Sequence, residues 1–154
     1  MSVEFKDFGL KALIDALGKD LPKAKVGVLG DKNSRKDSNS NATIGAKHEF
    51  GEEGMPIRSF LRMPITNQLQ KYLENSKAFT PDVLAEIIKE KSLDAWMKKV
   101  GVTAEAVVLE AFNSGGFGEW VPSNMKYKKN HQTLVETKQL RDSITSAVTD
   151  GSGE

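Results

Sequence analysis

The chain has 154 residues and no cysteine, and its 22 basic residues nearly balance 21 acidic ones, giving a net charge of +1. A chain of this length is most simply a single domain, residues 1–154, that buries roughly two thirds of its unfolded surface. The absence of cysteine excludes disulfides, thiolate metal ligands and thiol nucleophiles. The small net charge gives no overall basic field for nucleic acid, and the sequence has no run of about twenty apolar residues to span a membrane. Protein partners are therefore favoured.

The spacing of apolar residues predicts an amphipathic helix over 3–17, ended by Gly18 and Pro22. A short strand over 24–29 should follow it, with Val26 and Val28 on one face. The apolar residues that define the helical pattern are Phe5, Phe8, Leu13, Leu17 and Leu21.

Residues 31–40 carry no apolar side chain, which predicts a mobile loop. Asn41 is a suitable cap for a short helix over 42–50, and Gly51 is a suitable end. A solvated turn and an extended arm at Met55-Pro56-Ile57 should follow.

Helical spacing resumes in the second half of the chain. A helix should begin near Ser59, become regular after Met63 because of Pro64, and continue to Ser76. Thr80-Pro81-Asp82 is a helix start signal, with a capping hydroxyl, proline at the first helical position and an acid beside the dipole. The residues that this next helix should bury are Val83, Leu84, Ile87 and Ile88.

A long helix is predicted over 93–113, because its apolar phase continues through Gly101. The alternative is a break at Gly101, with Thr103 capping a second helix. A glycine-rich loop follows at 114–118, anchored by Trp120-Val121-Pro122. A strand over 143–149 should pair with strand 24–29, and residues 150–154 should form a loose tail. The predicted fold class is α+β, with a small antiparallel or mixed sheet packed against several helices.

No pattern indicates catalysis. His48-Glu49 invites an acid/base interpretation, but adjacent helical residues point about 100° apart, and the second histidine of a zinc-protease motif is absent. His131 lies in a lysine-rich segment with no identifiable partner. We therefore expect no enzyme, no catalytic residues, no cofactor and no metal.

Two sequence blocks resemble a known family. Glu49-Phe50-Gly51 followed by Pro56-Ile57-Arg58-Ser59-Phe60-Leu61-Arg62-Met63-Pro64 is similar to the "EFG … P-A-R-P-F-L-R-P" signature of tailed-bacteriophage virion morphogenesis proteins, the tail-completion or neck family. Residues 134–144, Leu-Val-Glu-Thr-Lys-Gln-Leu-Arg-Asp-Ser-Ile, resemble that family's "L-I-D-T-G-x-L-R-x-S-I". Trp120-Val121-Pro122-Ser123 is a shortened form of its "W-x-P-L-S-P-x-T" segment. Ser59 replaces the family's usual proline, Glu136 an aspartate and Lys138 a glycine.

The resemblance implies a structural virion protein, assembled in the host cytoplasm and located at the tail or neck. Such a subunit would form a homo-oligomeric ring, expected to be a hexamer, at the head-proximal end of the tail. The tail terminator or tail tube would lie on one side and head–tail connector proteins on the other, with genomic DNA passing through the lumen. A tail terminator or another head–tail connector is the alternative within phage assembly.

Candidate contact residues follow from this interpretation, because arginine and aromatic side chains are enriched at interface centres. The predicted interface residues are Met55, Ile57, Arg58, Phe60, Leu61, Arg62, Leu140, Arg141 and Ile144. A nucleic-acid-binding module is the alternative from another class. Its predicted phosphate contacts are Lys32, Arg35, Lys36, Lys126, Lys128 and Lys129.

Overall fold

The computed structural model describes residues 15, 18, 21–34, 40–78, 80–122 and 138–150. The elements within these residues are β1 (Lys23–Val28), a 3-10 turn (Gly30–Asn33), α1 (Asn41–Phe50), α2 (Arg62–Asn75), α3 (Pro81–Glu90), α4 (Asp94–Ser114), α5 (Gln139–Asp142) and β2 (Ile144–Thr149). The fold is α+β, as predicted. The predicted helix over 3–17, except for Asp15, and the predicted tail beyond Asp150 lie outside the described residues.

The two strands form an antiparallel sheet. The sequence predicted an antiparallel or a mixed sheet, and the antiparallel one is observed. Lys23 pairs with Thr149 at one end and Val28 pairs with Ile144 at the other. The strands thus join the two ends of the described chain, as the sequence predicted. Each lies within one residue of its predicted bounds.

Helix α4 is the central element, since it contacts both strands and also α2. It is one continuous helix through Gly101, so the predicted long helix is confirmed and the alternative break is wrong. A Cβ atom at position 101 would lie 3.4 Å from the Ser146 Cβ and 3.7 Å from the Ala24 Cβ. The glycine therefore marks the place where α4 crosses close to the sheet.

The main hydrophobic core consists of Phe60, Val108, Phe112, Leu140 and Ile144. The Phe60 and Phe112 rings pack with centroids 5.1 Å apart, and the Trp120 ring meets Phe112 edge-on at 5.8 Å. These distances suit tilted and edge-to-face aromatic pairs. The core thus joins α4 to residues from the middle and from the carboxyl end of the chain.

The start of α1 differs from the prediction. Ser40, not Asn41, caps the helix, because its Oγ accepts a hydrogen bond from the Thr43 N–H at 3.1 Å. Asn41 is buried and its Nδ2 donates to the Lys32 carbonyl at 2.8 Å. An amide donor can satisfy a backbone carbonyl in this way.

The predicted loop over 31–40 is described only as far as Ser34 and again at Ser40, and its first residues form part of the 3-10 turn. Asn33 Oδ1 accepts from the Ala42 N–H at 2.8 Å, so the 3-10 turn is fastened to α1. Its polar side chains supply hydrogen bonds where apolar burial is lacking. Residues 35–39 lie outside the described part of the chain.

Helix α3 begins as predicted, with Pro81 at its first position and the Thr80 Oγ1 accepting from the Val83 N–H at 3.4 Å. Only Ile87 among the predicted apolar residues is fully buried, and Leu84 is 46% exposed. The burial prediction for Leu84 is wrong because α3 buries a narrow stripe, and Leu84 lies beside it.

Candidate assembly interface

A buried carboxylate organises the middle of the chain. The Glu49 side chain on α1 is only 6% exposed. Its oxygens accept hydrogen bonds from the Ser59 hydroxyl at 2.6 Å and from the backbone N–H groups of Phe60, Leu61 and Arg62 at 2.9–3.0 Å. Glu49 therefore fixes the start of α2 against the end of α1.

The sequence of α2 explains why it needs this distant acceptor. Leu61 occupies the N-cap position and has no side-chain oxygen, so it makes no capping hydrogen bond. The free N–H groups and the dipole at a helix start favour an acceptor with negative charge. Ser59 adds a local contribution, since its Oγ accepts from the Met63 N–H at 3.0 Å. Pro64 lies in the first turn, where its missing N–H costs no intrahelical bond.

Arg58 connects this arm to the segment after α4. Its Nε donates to the Val121 carbonyl at 3.0 Å, and its Nη2 lies 3.5 Å from the Pro122 carbonyl. Desolvation by burial lowers the pKa of the Arg58 guanidinium. An arginine nevertheless stays charged at neutral pH. Its backbone N–H also donates to the His48 carbonyl at 2.8 Å, which holds the arm along α1.

Trp120 contributes a further hydrogen bond to the segment before α2. Its Nε1 donates to the Ser59 carbonyl at 3.1 Å. Gly116 has a φ of +70°, and the Trp120 indole lies against the position that a Cβ there would occupy. The glycine is thus required both for its conformation and for the space it leaves. We call Glu49, residues 58–62 and residues 120–122 the junction.

The second resemblance block meets the first in the core. A Cβ at Gly45 would lie 3.2 Å from Phe60 and 3.4 Å from Leu140, so α1 packs closely against both side chains at this glycine. Lys138 has a φ of 57°, a conformation that glycine adopts more readily than lysine. The lysine therefore retains the backbone conformation that a glycine would adopt there.

The structure divides the predicted interface residues into two groups. The side chains of Arg58, Phe60, Leu140 and Ile144 are buried inside the chain, at most 7% exposed. For these four, the prediction of a partner contact is replaced by an internal role, because they have almost no surface left to offer. Met55, Leu61 and Arg141 are half-buried, and Ile57 and Arg62 are exposed.

Exposed apolar side chains surround the outward part of the junction. Phe50 is 66% exposed, Ile57 59% and Met63 41%. Ile57 packs beside Gly51, the neighbour of Phe50, and Ile57 and Met63 line one small cavity of about 140 Å³. We call Phe50, Ile57 and Met63 the apolar strip. The Arg62 guanidinium lies 5.8 Å from the centre of the Phe50 ring, within cation–π range.

Phe50 was not among the residues predicted from the sequence. The usual expectation is that phenylalanine is buried and glutamate exposed. Here the two adjacent residues are reversed, because helical neighbours point about 100° apart and Glu49 is turned inward. The sequence did contain one signal. Leu61 cannot cap the start of α2, so an acidic side chain from elsewhere in the chain must turn inward to accept hydrogen bonds from the free N–H groups.

The described residues do not support the alternative sites, namely the phosphate contacts, the His48-Glu49 pair and a metal site. Lys32 is exposed on the 3-10 turn, and the other five predicted phosphate contacts lie outside the described residues, so that alternative stays a prediction. Glu49 is engaged by the start of α2, which leaves it unsuited to acid/base chemistry with His48. Within the described ranges, no three acidic or histidine side chains gather as metal ligands. None of the helices described is both long and apolar enough to cross a membrane.

Comparison with known proteins gives no further assignment. No protein family, curated protein or solved structure matches this chain.

Proposed function

We propose that this protein is a structural subunit of a tailed bacteriophage, a tail-completion or neck protein that joins the tail to the head. It acts as a copy in a ring, expected to be hexameric, and leaves a passage for DNA. It performs no chemistry of its own.

The observation that carries the proposal is the convergence of the segments that resemble the family. The Glu49 carboxylate caps the segment 59–62, Arg58 donates to the carbonyl of Val121, and Trp120 donates to the carbonyl of Ser59. Phe60 shares one core with Leu140 and Ile144 of the second block. Segments that lie far apart in the sequence therefore support one another, as the parts of one family signature would.

The apolar strip supplies the surface through which such a subunit would assemble. Exposed apolar side chains grouped on one surface are a common feature of protein contact sites. Repetition around a closed ring lets modest contacts add, because each subunit is then held by neighbours on both sides. Arg62, above the Phe50 ring, would contribute the kind of side chain that is frequent at interface centres.

Electron microscopy of particles assembled without this protein tests the proposal. We expect filled heads and completed tails that remain unattached, and joining should return when the protein is supplied. Overlong tail tubes would instead identify a tail terminator. Normally joined, infectious particles would refute a role in phage assembly.

A further inference from the structure

An apolar groove lies beside the sheet, separate from the small cavity under the strip. The described residues leave it open over a volume of about 490 Å³ between β1, α1 and the start of α2. Its apolar lining includes Val26, Val28, Ala46, Leu61 and Ile65, and Phe50 of the strip borders it. Val26, Val28, Leu61 and Ile65 are half-buried and pack on the edge of the main core. The groove is thus an extension of that core.

We propose that the groove is the docking site of this chain's own amino-terminal segment, residues 3–17. The apolar face of that segment, which carries Phe5, Leu13 and Leu17, would fill it and extend the core. The segment lies outside the described residues, and its helical character is the prediction made from the sequence.

The connection to β1 restricts where the segment can go. Residues 18–22 alone separate it from Lys23, and five residues span at most about 17 Å when fully extended. Elements that follow each other in sequence are usually adjacent in space, and links of this length commonly join a helix to a strand. The groove runs along β1, so it lies within reach of the segment.

The chemistry of the two surfaces is also complementary. An amphipathic helix must bury its apolar face, and on the predicted helix the polar residues Glu4, Asp7, Lys11 and Asp15 fall on the face opposite Phe5, Leu13 and Leu17. Asp15, the one residue of the segment whose exposure is described, is exposed. On the groove side, Ala42 and Ala46 of α1 are small, which lets a second helix approach closely.

Disulfide trapping tests this docking directly, since the chain contains no cysteine of its own. Ala46→Cys, an exposed groove position, is combined with Phe5→Cys or with Leu13→Cys in the full chain and oxidised at low protein concentration. We expect at least one of these pairs to link within a single chain at least fivefold faster than the matched pair Ala46→Cys with Lys11→Cys, whose second position lies on the polar face. Links between two chains would overturn the proposal by making a second copy the occupant. Equal rates for both faces, or no links, would also overturn it.

Hydrogen exchange in the full chain gives a second measurement that needs no new bond. The double variant Phe5→Ser, Leu13→Ser should exchange amide hydrogens in β1 at least tenfold faster than wild type, with α3 unchanged, because the groove loses its cover. The control is Asp7→Ser with Lys11→Ser, which should leave β1 protected. Unchanged exchange in β1 of the apolar variant would contradict the docking.

Discussion

At the scale of single residues, the most informative side chain is Glu49. Acidic residues are rarely buried, so its position on α1 alone predicts a solvated charge. Its burial follows from a need elsewhere in the chain, since α2 starts at Arg62 without a capping side chain at Leu61. This long-range pairing was beyond a prediction from local patterns.

Glu49→Gln should lower the free energy of unfolding by about 2–4 kcal/mol. The amide keeps the size of the side chain, but it removes the negative charge at the helix start and places a donor group where N–H donors need acceptors. Urea denaturation followed by circular dichroism measures the change.

Glu52→Gln is the matched control, because Glu52 is half exposed and its bond to Lys47 is a surface ion pair. Its change should stay within about 0.5 kcal/mol. Similar losses for the two variants would show that Glu49 does not have the structural role assigned to it.

At the scale of elements, the local patterns predicted the fold well. The apolar phase of α4 continued through Gly101, Thr80 and Pro81 marked the start of α3, and the two strands paired. The errors arose where tertiary contacts decide the outcome. Asn41 was expected to cap α1, yet Ser40 holds that place while the Asn41 amide bonds to a turn earlier in the chain. Leu84 was expected to be buried, but it is 46% exposed because the described residues cover only a narrow stripe of α3.

Gly101 offers a graded test of how α4 crosses the sheet. Gly101→Ala should raise the free energy of unfolding by up to about 1 kcal/mol, because alanine favours helix and its methyl group would meet Ser146 at an ordinary contact distance. Gly101→Leu should lower it by about 1–3 kcal/mol, because the longer side chain must displace β2. Thermal and urea unfolding of both variants measure the difference.

The neighbouring position provides the control for these substitutions. Val102 is 57% exposed on the same helix, so Val102→Leu should change stability by no more than about 0.5 kcal/mol. A stable Gly101→Leu variant would contradict the close crossing of α4 and the sheet.

At the scale of the whole molecule, the sequence indicated residues 55–63 as a contact region but not which of their side chains face outward. The stretch from Met55 to Met63 was predicted to make contacts, yet Arg58 and Phe60 face inward and build the junction. Ile57 and Arg62 remain exposed, and Phe50 joins them from α1. Side chains along an extended arm alternate between two sides, and the position of α1 beneath the arm decides which side is exposed to solvent. Local sequence does not encode that position.

The central claim is that the junction presents the apolar strip for assembly. The most direct measurement counts joined heads and tails by electron microscopy when particles lacking the protein are complemented with Ile57→Lys, Met63→Lys. Val102→Lys is the control, because it places the same charge on an exposed apolar position of α4, away from the strip. We expect all proteins to melt within a few degrees of wild type, the control to restore joining, and the strip variant to reduce it at least tenfold, because a lysine charge is costly to desolvate in an interface. Equal joining by the folded strip variant and the control would contradict the claim.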